Sequence, residues 1–250
     1  MQALDDLARA GSAEVVFLRV PEPLTGAEIL DPFERAAHFA GFVTARLAVQ
    51  PERTLDTFDG LVRLVGRALT PPRAGVGQRG VVALLDRFIT RNIDAKNALA
   101  VFDEGVMHHC ARGDLIELAR DYVGAGRSHP REAARVDAWL AGQEPARVVG
   151  SSVVAPLSLR TARRALVEMT LLSRVLGWRG TVLVLQDVEA VLGFAPTRRA
   201  DAFGVLRDLV DGADGARAMV AAQVMLAGRD ELFTSAAALD TARALAEAAG

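Results

Sequence analysis

Lysine is almost missing from this 250-residue chain: of its 29 basic side chains only Lys96 is a lysine, and the others are arginines. Any mechanism that needs a lysine must therefore use Lys96 or borrow one from another molecule. Cysteine is as scarce. Cys110 stands alone, which excludes an internal disulfide framework and fits a reducing compartment. Long apolar runs are lacking too; stretches such as Val182–Leu185 fall far short of the roughly 18–20 residues of a membrane span. The acidic start Met1-Gln2-Ala3-Leu4-Asp5-Asp6 has no basic segment of the kind that opens a signal peptide. Nor is there an excess of one charge. The net charge of −2 argues against a broad footprint for nucleic acid, leaving only a local basic stripe. These absences together lead to the expectation of a soluble, cytoplasmic protein with no membrane partner.

What the chain does contain is apolar surface. With its 22 glycines counted, the apolar share is about 60%, above the roughly 45–50% of soluble domains. Disorder is thereby excluded, and 250 residues suffice for one α/β domain. Residues 13–20 (AEVVFLRV) read as a strand buried on both faces, stopped by Pro21 and Pro23. Asp31-Pro32-Phe33-Glu34 reads as a helix start, with Asp31 as N-cap, Pro32 at the first helical position and Glu34 closing a capping box. Residues 42–49 form a second strand, so the first third is a βαβ unit.

Residues 54–69 follow as an amphipathic helix, and 81–142 show only helical periodicity, which predicts an all-helical insert. Ser158 can cap a helix carrying Leu159, Ala162, Leu166, Met169, Leu172 and Leu176 on one stripe. Residues 181–185 and 218–226 are the third and fourth strands, with a helix at 197–210 between them and a last one at 236–249. The expected fold is α/β: one three-layer domain over residues 1–250, with a mostly parallel sheet and the helical insert at about 81–142.

A loop after the first strand invites a phosphate-binding reading, which needs G-x-x-x-x-G-K-[ST]. Residues 20–30 hold one glycine, no lysine and two prolines, while Glu22 and Glu28 would repel a triphosphate. The third strand ends in Gln186, Asp187, Val188 and Glu189, where such ATPases keep a magnesium-holding Asp and a water-activating Glu. Asp187 and Glu189 also suit a helix start, where the dipole favours acids. His108-His109-Cys110 diverge by about 100° per residue on a helix and have no second Cys/His pair, so neither a metal site nor a cysteine nucleophile is expected. The arginine groups Arg160/Arg163/Arg164 and Arg198/Arg199 read as solvated helix faces, or as a surface for a protein or nucleic acid.

Three stretches, taken in order, carry a resemblance. They are 41–59 (GFVTARLAVQPERTLDTFD) with the helix 61–69, then 157–180 leading into strand 181–185 with Asp187 and Glu189, and finally 224–233 (VMLAGRDELF). Over roughly residues 13–235 the chain resembles the BrxD-like ATP-binding protein of BREX phage-defence systems and related uncharacterised P-loop ATPases. The resemblance implies a P-loop ATPase domain, and the departures from it are specific. Thr25-Gly26-Ala27-Glu28 stands where that family has Gly-Lys-Thr/Ser, so Thr25 and Gly26 are what remains of a nucleotide loop. Gln186-Asp187-Val188-Glu189 stands where it has Asp-Glu-x-Glu, which leaves Asp187 and Glu189 as degenerate acids. The chain also ends sooner after the fourth strand than the family does. The expectation is a pseudo-ATPase, a non-catalytic binding or regulatory module that meets a protein partner or an ATPase paralogue, with ATP and magnesium bound only if the altered site still accepts them. The alternative is an ATP-binding protein or ATPase with a non-standard site.

Overall fold

The computed structural model describes residues 2–50, 54–75, 77–92, 95–146, 154–211 and 219–234. Four parallel strands make one sheet: β1 (Ala13–Arg19), β2 (Val43–Ala48), β3 (Thr181–Gln186) and β4 (Ala222–Gly228). Their order across the sheet is β1-β4-β3-β2. The register pairs Ala13 with Ala222, Thr181 with Ala222, and Val43 with Thr181. β1, β2 and β3 lie within one residue of their expected limits, whereas β4, expected over 218–226, begins at Ala222 and runs on to Gly228, with 219–221 outside the strand and position 218 outside the described residues. β1 and β2 belong to one βαβ unit in sequence but occupy opposite edges in space, with β4 and β3 between them.

The chain crosses from β1 to β2 in one direction and returns through β3 to β4 in the other. Right-handed crossovers then require helices on both faces. On one face lie α1 (Gln2–Ala10) and α2 (Gly26–Phe39), whose Leu4, Leu7, Leu30 and Ala37 pack on Val182, Val184, Met225 and Ala227. The other face presents Leu183, Leu185, Val224 and Leu226 to α3 (Phe58–Ala68), α8 (Ala162–Val175) and α9 (Pro196–Asp211). Alternate residues of β3 and β4 therefore enter different cores, which is why both strands read as unbroken apolar runs.

The insert forms α4 (Val81–Arg91), α5 (Ala95–His108), α6 (Asp114–Ala125) and α7 (Pro130–Leu140). It packs on α3 and α8 and enlarges the same core, with Phe88 edge-on to Phe102 at 6.2 Å and with Tyr122 and Trp139 buried. The expected helix 236–249 lies outside the described residues.

Two helix starts differ from the sequence reading. α2 begins at Gly26, with Thr25 as its N-cap, so Asp31 and Pro32 lie inside the helix. The chain holds two competing capping signals, Thr25…Glu28 and Asp31…Glu34, and the first is the one that closes. α8 begins at Ala162 rather than after Ser158. The Ser158 N–H donates to Thr161 Oγ1 (2.9 Å) and the Thr161 N–H to the Ser158 carbonyl (3.0 Å), closing a turn before the helix. Leu159 sits in that turn and is 67% exposed, so it belongs to no apolar stripe.

Candidate functional site

In an open parallel sheet, ligands bind beyond the carboxyl ends of the strands, where the winding reverses. Here those ends bring together the start of α2, the Gln186–Glu189 stretch and the end of β4. Gly26 is buried against β3: a Cβ on it would lie 3.0 Å from Cδ and Nε2 of Gln186. Gly26 therefore meets the end of the third strand.

The chemistry there is self-contained. The Thr25 N–H donates to Glu28 Oε2 (2.7 Å), the Thr25 hydroxyl donates to the same oxygen (2.9 Å), and the Glu28 N–H donates to Thr25 Oγ1 (3.3 Å). A helix N-terminus normally offers such donors to an anion. In this protein the carboxylate of Glu28, within the helix itself, takes the N–H and hydroxyl of the capping Thr25. The backbone and hydroxyl donors of Thr25 hold the Glu28 carboxyl below its ordinary range.

The β3 terminus is bonded in the same inward way. Gln186 Nε2 donates to Asp187 Oδ2 (2.9 Å), while Gln186 Oε1 accepts from Arg46 Nε (2.8 Å). Asp187 has left-handed backbone (φ 60) and leads into a 3-10 helix, Val188–Gly193. Glu189, on that helix, does not face the α2 start; its Oε2 accepts the Arg229 N–H at 3.1 Å and ties the 3-10 helix to the exit of β4. Asp187 and Glu189 thus serve different neighbours. A metal site at this end finds no support: among the described residues no group of three or more His, Cys, Asp or Glu is placed to hold an ion.

Four side chains at this end carry no signal in the sequence reading. Arg46 of β2 is half-buried, pairs with Asp31 and lies 3.9 Å from Glu34, joining β2, β3 and α2. The clue is a lone guanidinium in an otherwise apolar strand. Toward the other edge of the sheet, a cavity of about 610 Å³ opens between the ends of β1 and β4, lined by Arg19, Val20, Pro21, Glu22, Arg229, Asp230 and Glu231. Arg19 and Asp230 form an exposed ion pair across it, and the Arg229 Nη1 is buried without a hydrogen-bond partner. Hydrogen bonding to Arg19 pulls the Asp230 carboxyl down.

Two further sequence readings meet the structure. His108 and His109 stand with their rings edge-to-face at 4.7 Å, at the end of α5, and the exposed Cys110 thiol reaches only the Met107 carbonyl (3.8 Å). Arg163 pairs with Asp208, Arg164 with Asp114 and Glu168, and Arg198 with Asp56, while Arg199 donates to the Leu192 carbonyl (3.3 Å). The charges of Arg163, Arg164 and Arg198 are paired within the fold, whereas Arg160 and Arg199 have no ion pair among the described residues. Apart from Glu168, four residues from Arg164, the partner acids lie 45 to 142 residues away, where a sequence reading does not join them.

No helix among the described residues is long and apolar enough to cross a membrane. Searches against known protein families and curated proteins find no matching family model and no matching curated protein.

Proposed function

We propose that the chain is a degenerate P-loop ATPase-like module that works by binding a partner rather than by hydrolysis, of the kind used in BREX-type phage-defence complexes. One observation carries the reading: the N-terminus of α2, the place a triphosphate would take, holds the carboxylate of Glu28 on the Thr25 amide and hydroxyl. The strand order β1-β4-β3-β2 with helices on both faces supports it, since it sets the altered loop beside the altered strand end. Loss of the lysine would not by itself forbid nucleotide. An internal anion on the same donors adds a competitor that is always present.

A protein partner or ATPase paralogue would then supply whatever catalysis the assembly needs. The other reading, an ATP-binding protein with a non-standard site, draws on the cavity beside Arg19 and Arg229, whose Nη1 lacks a partner. Thermal shift with Mg-ATP separates the two. A ligand at about 100 times its Kd adds about 2.7 kcal/mol of stability. No shift at millimolar Mg-ATP is the expected result, and a shift removed by Arg229→Ala would establish the second reading.

A further inference from the structure

The opposite end of the sheet carries a different chemistry. A cavity of about 520 Å³ opens at the amino ends of β2 and β3, and its wall contains Arg35, Arg73, Arg91 and Arg179 but no carboxylate. These arginines come from four places: α2, the loop after α3, the end of α4, and the turn before β3. Arg179 has a partner, Asp5, at 2.7 Å. Arg35, Arg73 and Arg91 have no ion pair among the described residues. Three guanidiniums without an ion pair around one opening concentrate positive charge there.

The helix dipole accounts for one of them only. Arg91 lies in the last turn of α4, where a cation is favoured. Arg73 is in a loop with left-handed backbone (φ 61), and Arg35 faces the same opening from α2. Arg91 also stacks over Trp178, 5.7 Å from the ring centroid, which holds its guanidinium plane in the cavity wall. Burial, then repulsion from Arg87 and Arg73, lowers the Arg91 pKa, the mark of positive charge gathered without a counterion.

At the rim stands Phe39, the last residue of α2 and 89% exposed. An aromatic ring this bare beside free guanidiniums has the composition of a stacking platform on a phosphate track. The cavity at the far end of the sheet is lined differently, by Glu22, Asp230 and Glu231 together with Arg19 and Arg229. A site for a lone phosphate would gather its donors in one closed cradle; here they are spread over four elements around an open groove with an apolar ring at its edge.

We propose that this basic groove binds single-stranded nucleic acid, with Arg35, Arg73, Arg91 and Arg179 on its phosphates and a base stacked on Phe39. The proposal does not depend on the nucleotide-site reading, since the two lie at opposite ends of the strands.

The test is fluorescence anisotropy of a labelled oligothymidylate of about 20 nucleotides with the full chain at several salt concentrations. Three free arginines at about 0.7 each predict a log–log salt slope of about −2. Arg73→Glu with Arg91→Glu should weaken binding at least about tenfold and flatten that slope. Phe39→Ala should weaken it about 5- to 150-fold with the slope unchanged, and Phe39→Trp should restore it. The substituted side chains are exposed, and Arg73→Gln with Arg91→Gln repeats the test without charge reversal. Absence of binding at 50 mM salt overturns the proposal, as does binding that survives the double substitution. So does saturable binding of inorganic phosphate or a mononucleotide with none of the strand.

Discussion

Gly26 and Gln186 touch so closely that a single added carbon would crowd them: a Cβ on the glycine would sit 3.0 Å from the Cδ and Nε2 of the glutamine. Gln186 cannot swing away freely, because Arg46 holds its oxygen and Asp187 its nitrogen. This contact joins the start of α2 to the end of β3, the two segments that a nucleotide site would need to keep apart by the width of a phosphate.

Gly26→Val should therefore lower stability by about 1–3 kcal/mol, the usual cost of forcing extra carbon into a packed place. For a chain of this size that is roughly 2–4 °C of melting temperature per kcal/mol. Adding Gln186→Ala should recover part of the loss, because it removes the atoms in the way. A valine variant that melts at or above the wild-type temperature would show that the contact is loose.

The Thr25–Glu28 cap makes a pH prediction. Thr25→Ala should cost about 0.5–2 kcal/mol, as losses of N-caps do. Glu28 has its folded pKa below the ordinary value, so its contribution is present above that value and disappears as pH falls through the depressed one. Denaturant titrations of wild type and Glu28→Gln should accordingly differ at pH 7, and the gap should shrink at a pH below the ordinary glutamate range. An equal gap at both pH values would mean that the charge on Glu28 plays no part.

ATP hydrolysis should not exceed a buffer control. The chain lacks the loop lysine and the strand-end Asp, two groups that stabilise the transferring phosphoryl, and Glu189 is engaged with the Arg229 amide. A coupled phosphate-release assay decides the point. Turnover of about 1–100 s⁻¹ that is abolished by Asp187→Ala would reveal a working site of another design.

Arg164 and Arg160 should behave differently although they are near neighbours. Arg164 pairs with Asp114 and with Glu168, and the buried Glu168 accepts the Leu115 N–H (2.8 Å) at the start of α6. A Cβ on Gly113, whose φ is 141, would overlap that carboxylate, so the site admits nothing larger. Arg164→Glu places like charge beside Glu168, whose carboxyl burial already raises, and should destabilise on the order of 1 kcal/mol or more. Arg160→Glu, on an exposed side chain without a partner among the described residues, should change stability by less than about 0.5 kcal/mol. Melting curves for the two single variants make the comparison, and equal losses would refute it.

The sequence by itself determined the strands and most of the helices. A run such as Val182–Leu185 has no polar side chain to turn toward water, so it must be covered on both faces, and only a central parallel strand between helix layers covers it so. Helical periodicity was likewise enough to place the insert, because each of its helices keeps one apolar stripe toward the shared core. The start of α2 was not legible. Thr25…Glu28 and Asp31…Glu34 are equally good local signals, and what distinguishes them is the buried place of Gly26 against Gln186, 160 residues later in the chain. Charge pairing between elements was decided by tertiary structure, whereas pairs one turn apart such as Arg164–Glu168 and Arg63–Asp59 are local. Arg163, Arg164 and Arg198 look free in sequence and are paired in space, whereas Arg35, Arg73, Arg91 and Arg179 look scattered and surround one opening. Apolar burial leaves a periodic trace along the chain because each residue must face one way or the other. Coulomb attraction depends on the distance between side chains from separate elements, and that distance exists only once the chain has folded.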